Sequence, residues 1–182
     1  ATAVYEWFKE SYDKQETQIK HDLLEKVNAI FKKMYHGSRL ITIDDNYHIQ
    51  LITQVGEERI TTDESKGLEA VKNFSFIAGL VELARDRARL VVKSPFSNEP
   101  DIHTAEPYPI VMDAPFSNVD EIHINNISGI LPNIAEQVIL IVMKKDWDYA
   151  EKTIGDKVGA SYYIGKVDNS DTYSKIFENK ES

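Results

Sequence analysis

The sequence contains no cysteine among its 182 residues. This absence excludes disulfide bonds and thiolate-bound metal sites. No apolar run comes close to the roughly 20 residues that a membrane-spanning helix needs. The N-terminal residues show no charged segment followed by an apolar one, so no signal peptide is predicted and a cytoplasmic location is the default expectation.

Positive charge is scarce: the sequence has 21 Lys and Arg residues but 30 Asp and Glu residues, for a formal net charge of −9. A nucleic-acid surface needs clustered Lys and Arg, and no long basic stripe is present. The histidines show neither metal-ligand spacing nor a pattern that supports a Ser-His-Asp triad, so they are predicted to be scattered surface residues. They are His21, His36, His48, His103 and His123.

One long helix is predicted over residues 3 to about 36, where apolar residues recur at spacings of three, four or seven without Gly or Pro. The apolar stripe is thin in the first half and broad from Leu23 to Tyr35. A stripe that widens in this way indicates a coiled-coil strand running into a globular head. A long amphipathic surface helix is the alternative, since fewer than four clean heptads are present.

Short strands at 40–43, 47–51 and 59–62, separated by turn residues, predict an antiparallel meander. A strongly periodic helix follows, from a natural N-cap at Ser65 to about Leu90, and it is expected to be central and largely buried. Residues 93–109 carry four of the six prolines and are predicted to form a loop. The tail from Asn169 is polar and is expected to fray at its end.

The central motif is an apolar run, Ile110–Met112, that ends in Asp113. Such a run is typical of a strand buried on both faces of a parallel sheet. Helix and strand patterns follow it up to a second apolar strand at 138–142, which predicts a βαβ unit. A carboxylate at the C-terminal end of such a strand is placed to hold Mg²⁺ beside nucleotide phosphates, the Walker B layout. Alternatively, this is an ordinary buried strand whose terminal aspartate caps the next helix.

The order of these elements resembles the C-terminal half of an ABC-type ATPase head of the SMC and SbcC class. The nearest branch is that of the DndD-like coiled-coil ATPases of DNA sulfur modification, DNA repair and phage defence. The resemblance implies an α/β fold, a partial P-loop NTPase head lobe with parallel core strands, a small antiparallel meander and an N-terminal coiled-coil helix. It also implies two parts, with residues 1–36 as the end of a coiled-coil arm and residues 37–182 as the C-terminal lobe.

The resemblance assigns a role to each motif. Ser65-Lys66-Gly67 matches the signature motif, whose hydroxyl, N–H groups and helix dipole meet the γ-phosphate of an opposing subunit. Asp113 matches the Walker B aspartate that orders Mg²⁺ through water, and Ser117-Asn118-Val119-Asp120 matches the D-loop. Lys144 and Lys145 lie in the switch region after the second strand, and either is a candidate for a phosphate contact, although solvent-facing lysines are the alternative.

Three features depart from this pattern. Ala114 follows the Walker B aspartate, where most ABC ATPases carry a catalytic glutamate, and alanine cannot act as a base. Asp120 or Glu121 could take that role, or each could be a helix cap or a surface charge. The signature lacks the usual leucine before its serine, and the switch region lacks a histidine.

No Walker A loop of the form G-x-x-x-x-G-K-[ST] occurs in the chain. The expected partners are therefore an N-terminal Walker A lobe of the same parent protein, a second ATPase head, and DNA with a nuclease or other DNA-processing subunit. ATP and Mg²⁺ are the expected cofactors. Two other functions remain open at this point: a nucleotide-gated clamp with negligible hydrolysis, and an α/β interaction module without nucleotide.

Overall fold

The computed structural model describes residues 2–55, 58–61, 63–88, 109–167 and 173–179. Within these ranges the helices are α1 (Thr2–Met34), α2 (Lys66–Ala88), α3 (Glu121–Ile134) and α4 (Lys144–Ile154), the last followed by a 3₁₀ turn at Gly155–Lys157. The strands are β1 (Arg39–Ile43), β2 (Ile49–Val55), β3 (Glu58–Thr61), β4 (Ile110–Asp113), β5 (Val138–Ile141), β6 (Tyr162–Lys166) and β7 (Ser174–Glu178). The mixed α/β class is confirmed.

The long helix is confirmed as α1, and its two halves differ in burial. The second half lies in the core, where Leu23, Val27, Ile30, Phe31 and Met34 are buried. The first half carries large apolar side chains that are exposed, namely Val4, Tyr5, Trp7, Phe8 and Tyr12. This distribution follows the widening of the apolar stripe along the sequence.

Helix α2 packs closely against the buried half of α1. The helices approach closely at Gly79, since a methyl group built there would lie 2.6 Å from Val27 Cγ2 and 3.2 Å from Val27 N. Buried side chains on α2, such as Val71 and Ala78, face the same core. Ile77 and Leu80 are exposed, so α2 is central but less enclosed than predicted.

The meander is confirmed, with β1 antiparallel to β2 and β2 antiparallel to β3. Asn28 on α1 holds it in place, because its amide accepts from Ile41 N–H and donates to Ile41 C=O, both at 2.9 Å. The predicted strand start at Tyr47 is wrong. Tyr47 lies in the turn with a φ of 62°, since Asp44 accepts from the N–H groups of Asn46 and His48 and so closes a turn there.

The βαβ unit is confirmed: β4 and β5 are parallel, with Ile110 opposite Val138 and Asp113 opposite Ile141. Helix α3 connects them, and its buried face carries Ile124, Ile127, Leu131 and Ile134. Asn126 donates to Met34 C=O at 3.0 Å, so α3 is also tied to the end of α1. The C-terminal ends of both parallel strands therefore lie at one edge of the sheet.

The prediction that these strands are buried on both faces is wrong. Val111 is 62% exposed, and Ile139 and Ile141 are each 44% exposed. The side chains alternate along each strand, and in the described part of the chain only one side of the two-stranded sheet is covered. An apolar sheet face is thus left open.

The predicted polar tail contains a strand. β7 pairs antiparallel with β6, and the rings of Tyr163 and Phe177 stack with centroids 5.0 Å apart. β7 contains only two apolar residues, the adjacent Ile176 and Phe177, which is too short a run to predict a strand. The predicted loop at 93–109, apart from Pro109, lies outside the described residues, as do Leu90 and residues 56–57 and 180–182. None of the described helices is long and apolar enough to cross a membrane.

Candidate functional site

The signature-like residues lie at the N-terminus of α2, as predicted. Ser65 caps the helix, because its Oγ accepts from Leu68 N–H at 3.3 Å and its carbonyl accepts from Glu69 N–H at 2.9 Å. Ser65 and Lys66 are exposed, and Gly67 is half-buried. The first-turn N–H groups of a helix have no acceptor within the helix, so this end presents donors and a positive partial charge.

The N-terminus of α3 lies beside Gly67. A methyl group built at Gly67 would be 3.5 Å from Asp120 Oδ2 and 3.6 Å from His123 Nδ1. The structure therefore brings the predicted signature motif next to the last residue of the predicted D-loop. Two motifs that are far apart along the chain form one surface.

Asp120 and His123 form a closely bonded pair at that surface. Asp120 Oδ1 accepts from His123 N–H at 3.0 Å, and Asp120 Oδ2 lies 2.7 Å from His123 Nδ1. Burial acts to raise the pKa of Asp120, but the hydrogen bonds and charge of His123 outweigh it and hold that pKa below its ordinary value. The predicted N-cap role of Asp120 is confirmed.

The segment between β4 and α3 is a compact turn anchored by one side chain. Phe116 is buried in the core, while Ser117 N–H donates to Ala114 C=O and Val119 N–H donates to Phe116 C=O, both at 3.1 Å. Ala114 and Asn118 adopt positive φ values of 49° and 62°. Asparagine tolerates this left-handed conformation better than alanine does. The turn leaves Asn118 exposed on the surface.

Asp113 ends β4 and is exposed. The next N–H, that of Ala114, donates to Ile141 C=O at 2.8 Å, which extends the strand pairing past the carboxylate. Among the described residues, no three His, Asp or Glu side chains cluster in a way that could hold a metal. A single exposed carboxylate fits Mg²⁺ held through water and nucleotide phosphates, and it does not fit an all-protein metal cage.

Lys144 begins α4, just after β5, at the same edge of the sheet as Asp113. It is exposed, and its Nζ lies 2.9 Å from Asp148 Oδ1. The hydrogen bond and negative charge of Asp148 raise the pKa of Lys144. The side chain is therefore a protonated surface lysine whose present partner lies within its own helix.

Comparison of the whole fold with solved structures shows what this arrangement is similar to. A structure from work on ATP-driven dimerization and DNA-stimulated activation of SMC ATPases aligns with a TM-score of 0.59 at 11% identity, covering 91% of this chain and 88% of that one. The fold of the chain is therefore similar to that of SMC ATPase heads. No protein-family model matches the sequence, and no curated protein matches it.

Other SMC heads match at similar levels. An SMC head bound to the C-terminal winged-helix domain of ScpA has a TM-score of 0.55 at 11% identity and covers 90% of this chain. The SMC head domain of Thermotoga maritima has a TM-score of 0.51 at 14% identity and covers 87% of this chain. The chain spans only 44% and 48% of those two proteins, so it matches about half of an SMC head structure.

Two residues of the site were missed from the sequence. His123 was predicted to be a scattered surface histidine, whereas it pairs with Asp120 beside Gly67. Its spacing of three residues from a capping aspartate is a usable signal, because the cap brings the ring back over the first turn. Phe116 was noted only as part of the motif, and its anchoring role depends on the core that receives it.

Proposed function

We propose that this chain is the C-terminal lobe of an ABC-type ATPase head, with residues 1–36 as the end of its coiled-coil arm and residues 37–182 as the lobe. One observation carries the proposal: in a chain with the SMC-head fold, Gly67 lies against Asp120. Signature and D-loop residues must share a surface if both contact a nucleotide held by an opposing head. ATP hydrolysis coupled to head dimerisation is the proposed activity.

Each candidate residue has a place in this proposal. The hydroxyl of Ser65 and the N–H groups of Lys66 and Gly67 meet the γ-phosphate of ATP on the opposing head. Asn118 contacts the opposing head across the nucleotide, and Lys144 contacts phosphate once it leaves Asp148. Asp113 orders Mg²⁺ through water, and the bound ion neutralises phosphate charge.

The open sheet face supports the proposal that a separate Walker A lobe packs against this chain. An exposed apolar surface is formed by Val111 on β4, the strand that ends in Asp113, and by Ile139 and Ile141 on β5. Exposed apolar patches of this kind mark interaction surfaces. We propose that the N-terminal Walker A lobe of the same parent protein covers it and supplies the phosphate-binding loop that this sequence lacks.

The test is Mg²⁺-ATP binding by this chain alone and in a mixture with the Walker A lobe, measured by calorimetry. Binding is expected only in the mixture and is expected to be lost in Asp113→Ala. Asp13→Ala is the matched control, since it removes an exposed carboxylate on α1, outside the proposed site. If the mixture binds no ATP, the nucleotide proposal is wrong, and an α/β interaction module becomes the better assignment.

A nucleotide-gated clamp is the second candidate function, and Ala114 is the observation that favours it. Without a carboxylate after Asp113, the head can bind ATP and dimerise with negligible turnover. Single-turnover measurements on the mixture distinguish the two, because a clamp retains its ATP.

The proposed whole-protein role is DNA processing or repair with a nuclease or related subunit of the DndD-like class. Stimulation of turnover by DNA tests this role.

A further inference from the structure

The proposed head needs a proton acceptor for the attacking water, and neither Ala114 nor Asp120 provides one. Ala114 has no ionisable side chain. Asp120, the candidate from the sequence, has both carboxylate oxygens engaged by His123, one by the backbone N–H and one by the ring. A carboxylate held in this way orients its partner and is poorly placed to accept a proton itself.

His123 has the features of an oriented base. Its Nδ1 lies 2.7 Å from Asp120 Oδ2, and no described residue makes a hydrogen bond to its Nε2. The side chain is 22% exposed, so the ring is largely shielded yet reachable from the surface. A carboxylate on one ring nitrogen fixes the tautomer and leaves the other nitrogen to accept a proton.

A second Asp–His pair in the chain shows that this hydrogen-bond pattern alone does not identify a functional site. Asp44 accepts from His48 N–H at 2.8 Å and its Oδ2 lies 3.1 Å from His48 Nδ1. That pair closes the β1–β2 turn, and the His48 side chain is 72% exposed. The position of His123 distinguishes it, because its ring lies against Gly67, the proposed γ-phosphate contact.

We propose that His123 is the general base of ATP hydrolysis and acts on the nucleotide of the opposing head. This inference depends on the proposed function. Nε2 takes a proton from the attacking water as the water oxygen bonds to the γ-phosphorus. The bond from the γ-phosphorus to the bridging oxygen breaks, ADP leaves with the electron pair, and the proton later passes from Nε2 to solvent. Asp120 is the positioning residue, since it holds Nδ1 and orients the ring.

The experiment compares His123→Gln with His48→Gln in the protein completed by its Walker A lobe. His123→Gln is expected to lower kcat about 100-fold, as loss of a general base does. Its affinity for Mg²⁺-ATP and its ATP-dependent dimerisation are expected to stay within about twofold of wild type, since the residue binds neither Mg²⁺ nor the base of the nucleotide. His48→Gln is expected to match wild type in all three measurements.

The pH profile of kcat separates a base from a phosphate ligand. Asp120 is the charged side chain bonded to the ring. The ring faces α2 at Gly67, and the first turn of that helix also carries Lys66 and Glu69, while Glu64 just before it is paired with Lys72 at 2.7 Å. A base must be neutral to accept a proton, so wild-type kcat is expected to fall on the acid side of its pH profile, and His123→Gln is expected to lack this fall. A fall on the alkaline side would assign the ring as a cationic phosphate contact and overturn the inference.

The other outcomes are also decisive. Unchanged turnover in His123→Gln overturns the inference and leaves the proposed function standing. If the wild-type protein binds ATP and dimerises but does not hydrolyse ATP, the inference is also overturned, and the nucleotide-gated clamp is favoured. Wild type that binds no ATP removes the proposed function and this inference together.

Discussion

Gly67 gives the sharpest test at the scale of a single residue. A methyl group there would meet only ordinary contacts at 3.5 Å and beyond, and the backbone does not need glycine. Gly67→Ala is therefore expected to keep the fold, with a free energy of unfolding equal to wild type or up to about 1 kcal/mol higher. The methyl group would stand where the proposed phosphate approaches the N–H groups, so ATP-dependent dimerisation is expected to be lost.

Urea unfolding and size-exclusion chromatography with Mg²⁺-ATP measure the two effects of Gly67→Ala. The control is Gly129→Ala, at an exposed helical position where the nearest atom to the added methyl group is Thr153 Cγ2 at 3.6 Å. It should leave dimerisation intact. Normal dimerisation of Gly67→Ala would show that no ligand approaches this turn closely.

Asp120 should make stability depend on pH. Its pKa in the folded protein lies below the ordinary value of 3.8, because the His123 hydrogen bonds outweigh burial. A lowered carboxyl pKa stabilises the fold above the unfolded-state value, and this stabilisation is lost as pH falls through the folded-state value. Asp120→Asn keeps a good N-cap without the charge. Its Tm should therefore lie below that of wild type at about pH 5 and approach it towards about pH 3.

Thermal unfolding monitored by circular dichroism measures this difference across the acid range. Asp13→Asn, on the exposed half of α1, is the control for removing one negative charge. A Tm difference between wild type and Asp120→Asn that stays constant with pH would contradict the assigned role of the ionised carboxylate.

At the scale of elements, the contact between α1 and α2 depends on Gly79. Its added methyl group would lie 2.6 Å from Val27 Cγ2 and 3.2 to 3.3 Å from the Val27 backbone, which cannot move without shifting the helix. Gly79→Ala is expected to lower the free energy of unfolding by about 1–3 kcal/mol, as overpacking does. The measurement is urea unfolding of Gly79→Ala compared with that of Gly129→Ala, a position where alanine favours the helix. Equal stability of the two variants would show that the helices separate at little cost.

Local patterns predicted most elements because each has a strong internal signal. The periodicity of α1 and α2, the caps at Ser65 and Asp120, and the apolar runs of β4 and β5 all depend on neighbours in the chain. β7 was missed because it contains only two apolar residues, the adjacent Ile176 and Phe177, among Ser, Lys and Glu. Tyr47 was misplaced because the Asp44 side chain accepts hydrogen bonds from the N–H groups of Asn46 and His48, and these bonds decide where the turn lies.

At the scale of the whole molecule, the open sheet face should govern assembly. Val111→Lys combined with Ile139→Lys places charges on exposed apolar positions, so the fold of the chain alone is expected to remain. Binding to the Walker A lobe is expected to weaken at least about 100-fold, because burying unpaired charges is costly. Pull-down and calorimetry with the Walker A lobe measure the effect. The control variant is Ile176→Lys, at an exposed position on β7. Undiminished binding would show that the lobe docks elsewhere.

The sequence by itself determined the order and type of most elements, the caps, the missing phosphate-binding loop and the absence of a carboxylate at Ala114. These features depend on local periodicity and on residue chemistry. Only the tertiary structure decided which distant side chains meet. Packing of α1, α2 and α3 on one core places Gly67 against Asp120 and His123 and leaves one face of the parallel strands open. Such contacts follow from how whole surfaces fit together, and no single stretch of sequence encodes them.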